Sequence, residues 1–315
     1  MGPLSPAKII SDHFPACVSL SFRQLSTGCL GGQAMKTLAF LINLTTAGVL
    51  AASPALAEDS ARSMGGASDS PDLRFCPNRP SLGSSACTTN PGHVQFEYSL
   101  VDWQRESNAL EREDQLIIAD LLARIGIGKQ TEVQIGWTAF GTDRERRKGS
   151  GRVSQINAIG DVRLAVRRNL RNPDGDGLSF GVEPFAILPL GRQPIGSGDW
   201  GAGVEVPITY DLSESVNLAF TGRVAALTDE DGQGRHRNYS GVVGLSYNVS
   251  DAITLASEVS VEEDNDPMGS ETHVLAAHSA SLQMTRRTQL DLIFAAGLTK
   301  ATPDLRFALG GSILF

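Results

Sequence analysis

The strongest regularity in the sequence is an alternation of apolar and polar residues that recurs from residue 93 to residue 315. A repeat of two residues is typical of a β-strand with one apolar face. The alternation predicts twelve strands, at 93–103, 114–127, 130–141, 156–170, 178–189, 199–211, 216–227, 237–249, 252–262, 272–284, 288–299 and 305–315. Strands of roughly ten residues or more are long for a β-sandwich and fit a tilted strand that crosses a membrane.

The last predicted strand ends on an aromatic residue. Its apolar face carries Leu305, Phe307, Leu309, Ile313 and Phe315. A chain end frays unless neighbouring structure holds it, so this strand is expected to close a sheet. It resembles the carboxy-terminal strand of bacterial outer-membrane β-barrels, whose final Phe helps the assembly machinery to recognise the chain. The resemblance implies that Phe315 is an assembly signal and that this strand pairs with the first.

The lengths of the predicted connectors also alternate. Short turns follow the even-numbered strands, at 128–129, 172–177, 212–215, 250–251 and 286–287. Longer polar segments follow the odd-numbered strands, at 104–113, 142–155, 190–198, 228–236 and 263–271, with a short exception at 300–301. Short turns at one rim and long loops at the other are typical of outer-membrane β-barrels.

Charged residues fall on the face opposite to the apolar one. A membrane-spanning sheet must close on itself, because lipid offers the backbone no hydrogen-bond partner. We therefore predict an all-β fold, a transmembrane antiparallel up-and-down β-barrel of about 12 strands, rather than a soluble sandwich. Its aqueous lumen would hydrate the inward charges, which are Glu97, Asp120, Arg124, Glu132, Asp161, Arg163, Arg167, Glu183, Glu205, Arg223, Glu258, Asp291 and Arg306.

Composition agrees with this fold class and excludes others. Apolar residues make up 41% of the 315 residues. No run reaches the ~18 consecutive apolar residues that a membrane-spanning helix needs. The net charge of -8 argues against a general nucleic-acid binder, because such proteins are basic.

A shorter apolar segment near the start predicts export. Met35 and Lys36 begin it, an interrupted apolar core follows at 38–50, and small residues up to Ala57 end it. This order is that of a secretory signal peptide, and the alternative is a buried helix at 38–50. We predict a mis-called upstream extension at 1–34, a cleaved signal peptide at 35–57, a periplasmic leader at 58–92 and the barrel at 93–315.

The exported chain would retain two cysteines, Cys76 and Cys87, in a segment rich in Pro and Gly. In an oxidising compartment this pair can form a disulfide that staples the segment. No further ligands with metal-binding spacing lie nearby, so a zinc site is not expected. We predict no metal site and no cofactor.

Four stretches of the predicted mature chain resemble one protein family. They are Arg74-Phe-Cys-Pro-Asn-Arg-Pro-Ser81, Pro91-Gly-His-Val-Gln-Phe-Glu97, Leu121-Leu-Ala-Arg-Ile-Gly126 and Thr131-Glu-Val-Gln-Ile-Gly-Trp137. They are similar to the outer-membrane transporter family named for the MetA pathway of phenol degradation. The resemblance implies a β-barrel in the outer membrane of a Gram-negative bacterium, and it indicates fold and location better than substrate.

The inward charges are the leading candidates for solute selectivity, since charged rings decide which solutes a pore admits. Each could instead pair with a neighbour to satisfy the lumen. The basic segment 144–148 with Arg152 could bind lipopolysaccharide phosphates, and the acidic segment 262–266 could collect divalent cations. A solvated charge run is the alternative for both segments. The 174–177 stretch lacks EF-hand spacing and predicts a turn.

Enzymatic activity is not expected. One class of outer-membrane phospholipase uses an outward-facing Ser–His pair on a β-barrel, and His278 has outward parity here. Its neighbours Ser279 and Ser281 have inward parity and cannot reach it, as a nucleophile–base pair must. The remaining candidate histidines lie near rims or loops and are predicted to be solvated; they are His93, His236 and His273.

The sequence therefore predicts an outer-membrane channel for the passive passage of small solutes, hydrophobic or aromatic compounds included. The alternatives are a non-conducting structural or adhesin-like barrel and a lipid hydrolase. The expected partners are outer-membrane lipid and lipopolysaccharide, the barrel-assembly machinery and a small-molecule solute, with no nucleic acid.

Overall fold

The computed structural model describes residues 73–315. The predicted upstream extension (1–34), the predicted signal peptide (35–57) and residues 58–72 of the predicted leader lie outside the described residues. Within 73–315 no helix is long and apolar enough to cross a membrane.

Thirteen β-strands form one antiparallel sheet that closes on itself. They are β1 (Val94–Ser107), β2 (Glu111–Gly128), β3 (Thr131–Arg147), β4 (Val153–Ala158), β5 (Val162–Arg171), β6 (Leu178–Leu188), β7 (Gly201–Asp211), β8 (Val216–Thr228), β9 (Arg235–Asn248), β10 (Ile253–Asp266), β11 (Gly269–Thr285), β12 (Thr288–Gly297) and β13 (Leu305–Leu314). The last strand pairs with the first, with Phe96 opposite Ile313. β4 and β5 pair with successive parts of the same strand, β3, and together take one place in the wall of the barrel. The barrel is therefore twelve-stranded, and the predicted fold class is confirmed.

Apolar side chains cover the outer surface of the barrel. In β9, for example, Val243 and Leu245 are exposed on the outer face while Asn238 is buried on the inner face. Exposed aromatic residues stand near both edges of this apolar belt: Tyr210, Tyr247 and Phe315 near one edge, and Phe140, Trp200 and Tyr239 near the other. The stretch of β9 from Tyr239 to Tyr247 measures about 26 Å along the strand, or about 20 Å along the membrane normal at a tilt of about 40°, which is close to the height of about 25 Å of the apolar band of a transmembrane barrel.

The two rims of the barrel differ in their connections. We call the rim formed by 129–130, 172–177, 212–215, 249–252 and 286–287 the turn rim. The opposite rim, formed by 108–110, 148–152, 189–200, 229–234, 267–268 and 298–304, is the loop rim. The start of β1 and the end of the chain meet at the turn rim, where the Phe315 amide donates to the Val94 carbonyl over 2.8 Å.

Several loop-rim connections are shorter than the sequence predicts. The predicted loops at 104–113 and 263–271 shrink to 108–110 and 267–268, because β1, β2, β10 and β11 continue beyond the apolar belt. The basic residues 144–147 and the acidic residues 262–266 likewise belong to β3 and β10. The prediction of long loops is wrong at these positions because strand ends with water on both faces carry no apolar alternation.

A bulge in β1 changes which residues of β1 and β2 face the lumen. The β1–β13 register shifts between Ser99 and Val101, and Ala119 of β2 has a φ of 56°, a left-handed conformation that is uncommon for a residue other than glycine. Beyond the bulge Ile117 lies opposite Asp102, whose carboxylate pairs with the inward-facing Arg306. Ile117 therefore faces the lumen, whereas strict alternation would direct it to lipid.

Candidate functional site

Residues 73–90 lie inside the lumen, and we call them the plug. The segment contains no strand, as its Pro and Gly content predicts, and Cys76 and Cys87 form a disulfide with their Cα atoms 6.2 Å apart. An irregular backbone leaves N–H and C=O groups that need partners, and the barrel wall supplies them. This location differs from the periplasmic leader expected at 58–92.

Arg124 of β2 is the centre of the plug's attachment. Its side chain is fully buried, and its Nη1 and Nη2 donate to the carbonyl oxygens of Cys76 and Cys87 over 2.6 and 2.8 Å. The same guanidinium pairs with Glu97 at 3.1 Å and with Glu132 at 2.9 Å. One side chain therefore holds both ends of the disulfide loop and is charge-compensated on two sides, as a buried charge must be.

The carboxylates beside Arg124 accept hydrogen bonds from the plug backbone. Glu97 accepts from the amides of Asn78 and Arg79 at 3.0 and 3.2 Å, and Glu132 accepts from the amide of Thr89 at 2.7 Å. The chain of ion pairs then continues along the wall through Glu132, Arg167, Glu183, Arg163 and Glu205. Charged side chains from β1 to β7 thus fill one side of the lumen.

The plug also reaches the opposite wall. The Arg79 guanidinium donates to Asp291 of β12, from Nε at 3.2 Å and from Nη2 at 3.0 Å. Glu258 of β10 accepts from the Ser81 hydroxyl and from the Leu82 amide, the latter at 2.9 Å. The plug therefore spans the lumen and is not confined to one wall.

The far end of the plug fits closely against β8. The Ser84 amide donates to Thr221 Oγ1 at 2.9 Å, and the Ser84 hydroxyl donates to Glu205 at 3.0 Å. A Cβ at Gly83 would lie 2.8 Å from Thr221 Oγ1 and 3.4 Å from the Cβ of Val242. A larger side chain at Gly83 would have to push the wall away.

Most of the predicted lumen charges meet at the plug. Those that contact it directly are Glu97, Arg124, Glu132, Arg167, Glu205, Glu258 and Asp291. Glu183 and Arg163 join the same ion-pair chain. Four others lie apart: Arg223 pairs with Glu262, Arg306 pairs with Asp102, Asp120 accepts from Thr138, and Asp161 holds a loop.

Space remains beside the plug in the described part of the chain, most of it in two cavities of the lumen. One, of about 260 Å³, lies between the plug and the wall from β7 to β12, where its lining includes Thr209, Ser246, Thr254, Ser279 and Ser281. The other, of about 160 Å³, lies between the plug and Asp120, Leu121 and Leu122 of β2. The lumen is therefore asymmetric. Long paired charges fill the β1–β6 side, whereas on the β7–β12 side fewer carboxylates hold the plug and small polar side chains between them leave space.

Apolar side chains also face the lumen, toward the loop rim from the plug contacts. One buried cluster contains Ala277, Ile293, Ala295 and Ala308, with Leu82 of the plug packed on it. A second contains Ala165, Phe185 and Ala225, with Ile187 and Leu227 beside it. Gly203 accommodates the second cluster, since a Cβ there would lie 2.6 Å from Phe185 Cζ. The interior of an outer-membrane barrel is usually polar, so these two clusters give part of this lumen an unusually apolar lining.

Asp161 fixes the longest loop-rim connection. Its carboxylate accepts from the amides of Gly191 at 2.8 Å and Ser197 at 2.6 Å, both in 189–200. Ile195 of the same connection packs on the lumen side of β3, where a Cβ at Gly141 would lie 2.7 Å from Ile195 Cδ1. The connection is thus folded inward at the mouth, and Asp161 positions it instead of lining an open pore.

A carboxyl pair lies near the loop rim, beyond the apolar belt. At this level the outer face already carries an Arg105–Asp114 ion pair of 2.7 Å. A hydrogen bond with Asp143 is the main cause that raises the pKa of Glu113 to about 7, and partial burial and the Asp143 charge add to it. A carboxyl group that shares a proton with its neighbour stays protonated well above its ordinary range.

We expect this pair to make the barrel less stable as the pH rises from about 4.5 to about 7, because the folded state keeps the Glu113 proton while the unfolded chain loses it. The Glu113→Gln variant should lose this part of the pH dependence and be more stable than the wild type above pH 7. Thermal unfolding in detergent across that range measures the effect. Glu214→Gln, at the turn rim, is the control, and a Glu113→Gln profile parallel to wild type would contradict the expectation.

The structure pairs His278 with a serine that sequence reasoning missed. Ser257 lies directly opposite His278 in the β10–β11 register, and its Oγ is 2.9 Å from His278 Nδ1 on the outer face. Ser279 and Ser281 border the inner cavity, as their parity predicted. Within residues 73–315 no carboxylate pairs with His278, so a third member of a catalytic triad is not present there.

His236 differs most from its prediction. It was expected to be solvated, but its side chain is only 5% exposed, with both ring nitrogens facing carboxylates near the loop rim. Sequence spacing could not reveal this, because its partners come from the 229–234 connection and from the end of β10. His93 remains at the turn rim, where its Nδ1 lies 2.9 Å from the Phe315 carbonyl oxygen.

Solved structures similar to this chain have low sequence identity to it. The translocator domain of the autotransporter NalP from Neisseria meningitidis is 11% identical and has a TM-score of 0.45, covering 72% of this chain and 90% of that chain. The KdgM porin in complex with disordered oligogalacturonate is 9% identical and has a TM-score of 0.43, covering 68% and 98%. OmpT with a loop L8 deletion, an outer membrane protein of Vibrio cholerae, is 9% identical with a TM-score of 0.38, covering 70% and 99%.

Comparison with curated proteins finds no match. A family model, in contrast, matches residues 77–315, which include nearly all of the plug and the whole barrel. The resemblance seen in the first third of the mature sequence is therefore confirmed over most of the chain. The chain belongs to the family described as "Putative MetA-pathway of phenol degradation".

Proposed function

We propose that this protein is an outer-membrane channel for small solutes and that its plug closes the lumen at rest. The observation that carries the proposal is the asymmetric lumen. A buried network of ion pairs holds the plug on the β1–β6 side, whereas on the β7–β12 side a few contacts from β8, β10 and β12 hold it and small polar residues border a cavity of about 260 Å³. A plug that shifts away from β8, β10 and β12 would extend this cavity into a path.

The proposed location is the outer membrane of a Gram-negative bacterium, reached by a cleaved signal peptide. The closed sheet, the apolar belt and the aromatic edges support it. The turn rim would then face the periplasm and the loop rim the exterior. Exposed Arg144, Arg146 and Arg152 beyond the belt support contact with lipopolysaccharide phosphates.

The proposed solutes are small molecules that combine an apolar or aromatic part with a polar group. The inward apolar clusters around Ile293 and Phe185 support an apolar contact, and the serines and threonines of the larger cavity support a polar one. Inward charges such as Asp120 and Arg223 would select among charged solutes outside the plug contacts. Benzoate and lactate are suitable probes, because they share a carboxylate and differ in apolar surface.

Recordings in planar lipid bilayers test this function. We expect brief openings of the wild-type protein and a higher permeability for benzoate than for lactate. Ile293→Thr should lower the benzoate preference while it leaves ion conductance in place. A wild-type protein that never conducts would contradict the channel, and equal permeabilities would contradict the proposed solute class alone.

A second candidate function is a non-conducting structural barrel. The extent to which the plug fills the lumen favours it, since buried wall groups hold the plug from several strands. The two candidates predict different behaviour of the plug: it leaves its position in the channel and never does so in the structural barrel. The plug deletion described in the Discussion distinguishes them.

Deletion of Phe315 should lower the yield of folded barrel more than it changes any current. Its amide and carbonyl pair with Val94 at the seam between β13 and β1, with N–O distances of 2.8 and 3.3 Å. Loss of this pair and of the terminal aromatic ring removes the proposed signal for the assembly machinery. Heat-modifiable migration of outer-membrane fractions measures the yield, with Phe315→Tyr as the conservative control. Normal yield of the deletion variant would contradict an assembly role.

A further inference from the structure

A cluster of one histidine and three aspartates, of which only Asp264 is partly exposed, joins two loop-rim hairpins. His236 Nδ1 lies 3.0 Å from an oxygen of Asp229 and 3.3 Å from an oxygen of Asp266. On the other side of the ring, His236 Nε2 lies 2.5 Å from an oxygen of Asp264. Asp229 belongs to the 229–234 connection, whereas Asp264 and Asp266 end β10, so the cluster links β8–β9 to β10–β11.

This arrangement requires a cation. A neutral imidazole carries one proton, so one of its two nitrogens must present a lone pair. Here both nitrogens of His236 face carboxylate oxygens, and lone pairs facing each other at 3 Å repel unless a positive charge lies between them. His236 Nε2 and Asp264 Oδ1 face each other, but neither buried atom makes a hydrogen bond of acceptable geometry.

The nearby charges favour a metal ion over a second proton. Within residues 73–315 no lysine or arginine pairs with Asp229, Asp264 or Asp266, so a doubly protonated His236 would leave two of three negative charges uncompensated. Asp229, His236 and Asp266 are all buried, and their potential ligand atoms lie within 4.8 Å of one another. Adjacent ligands of an octahedral ion with bonds of about 2.1 Å are about 3 Å apart, close to the two distances at Nδ1.

We propose that Asp229, His236 and Asp266 bind a divalent cation at the loop rim. His236 coordinates through Nδ1, and the two aspartates supply oxygen ligands. Asp264 is a positioning residue: its carboxylate accepts a hydrogen bond from Nε2–H and thereby keeps Nδ1 unprotonated and directed at the ion. Two carboxylates and one imidazole suit Mn²⁺ or Zn²⁺, and water would complete the coordination.

The consequence of binding is a cross-link at the mouth of the barrel. The Asp266 carboxylate already accepts from the amides of Glu230 and Met268, each at 2.7 Å, so it contacts both hairpins. The cation would add a second tie between them and fix the outline of the mouth. This site is independent of whether the lumen conducts.

Isothermal titration of the chelator-treated, folded protein with Mn²⁺ at neutral pH tests the proposal. We expect one saturable site per chain in the wild type and its loss in His236→Gln and in Asp266→Asn. Asp264→Asn should weaken binding by roughly 10- to 100-fold, as loss of a positioning carboxylate does. Asp231→Asn, in the same connection and with the same change of charge, is the matched control and should bind as the wild type does.

Two results would overturn the assignment. Absence of saturable Mn²⁺ binding by the wild type would mean that His236 is held by protons alone. Binding that survives in His236→Gln would place the ion at other surface carboxylates. Paramagnetic resonance of bound Mn²⁺ gives an independent measure, because hyperfine coupling to nitrogen disappears if the imidazole is not a ligand. Heat-modifiable migration confirms that each variant is folded, and the wild-type titration stands alone if a variant is not.

Discussion

Removal of residues 73–90 is expected to raise the conductance of the barrel by about tenfold or more, because the lumen would lose the segment that spans it. The wall would remain folded. Arg124 keeps its ion pairs with Glu97 and Glu132 after the deletion, and water would hydrate the groups that lose plug partners. Single-channel recording in planar bilayers gives the measurement.

A reversible tether provides the matched control for the deletion. A Cβ at Gly83 would lie 3.3 Å from the Cβ of Thr221, so a small outward shift of the wall brings the pair to the Cβ–Cβ separation of about 3.5–4.5 Å that a disulfide requires. The Gly83→Cys, Thr221→Cys variant should therefore lose its openings when oxidised and regain them on reduction. An unchanged conductance of the folded deletion variant would show that residues 73–90 do not close the lumen and would favour the structural barrel.

Replacement of Arg124 by Met should destabilise the closed protein by about 3–5 kcal/mol, because it leaves buried carboxylates without their cation. The same change frees the carbonyl oxygens of Cys76 and Cys87, so the plug loses the contact that holds both ends of its loop. We expect a lower midpoint of thermal unfolding together with longer openings in bilayers. Arg124→Lys should recover part of the stability, since it restores the charge but not the forked geometry.

Arg223→Met is the matched control for this effect. Arg223 is also an inward arginine, paired with Glu262 at 2.9 Å, but it does not contact the plug. Its loss should cost less stability, because it is partly exposed, and should leave the openings as they are. Equal effects of the two substitutions on the openings would mean that Arg124 acts through general barrel stability and not through the plug.

The barrel was predictable from sequence because the alternation that marks each strand involves only residues close together in the chain. Alternation along each strand marks the apolar outer face, and the partners of a strand are its neighbours in the chain. The inward parity of charges such as Glu97 and Arg124 followed from the same rule. The rule failed where a bulge between Ser99 and Val101 of β1 inserted an extra residue, and above the belt, where water on both faces removes the alternation.

The plug was not predictable because its partners are distant in sequence. Arg79 and Asp291 are separated by 212 positions, and no periodicity links them. One signal was nevertheless present. The segment around Asn78 and Pro80 cannot form a strand, so its backbone groups needed partners, while the inward faces nearby carried more charge than an open lumen requires. His236 was missed for the same reason, since its carboxylate partners are 7 to 30 positions away.

The distribution of the plug's contacts implies that the plug enters the lumen late in folding, after the strands of the barrel have assembled. Its partners come from both ends of the barrel sequence, from Glu97 on β1 to Asp291 on β12. Contacts between such distant positions form late, because they require the intervening chain to be in place. The plug can make contacts with both β1 and β12 only when the sheet has closed correctly. A misassembled barrel would keep its amino-terminal segment free and accessible to proteases, so the segment can serve as an intrinsic check on assembly.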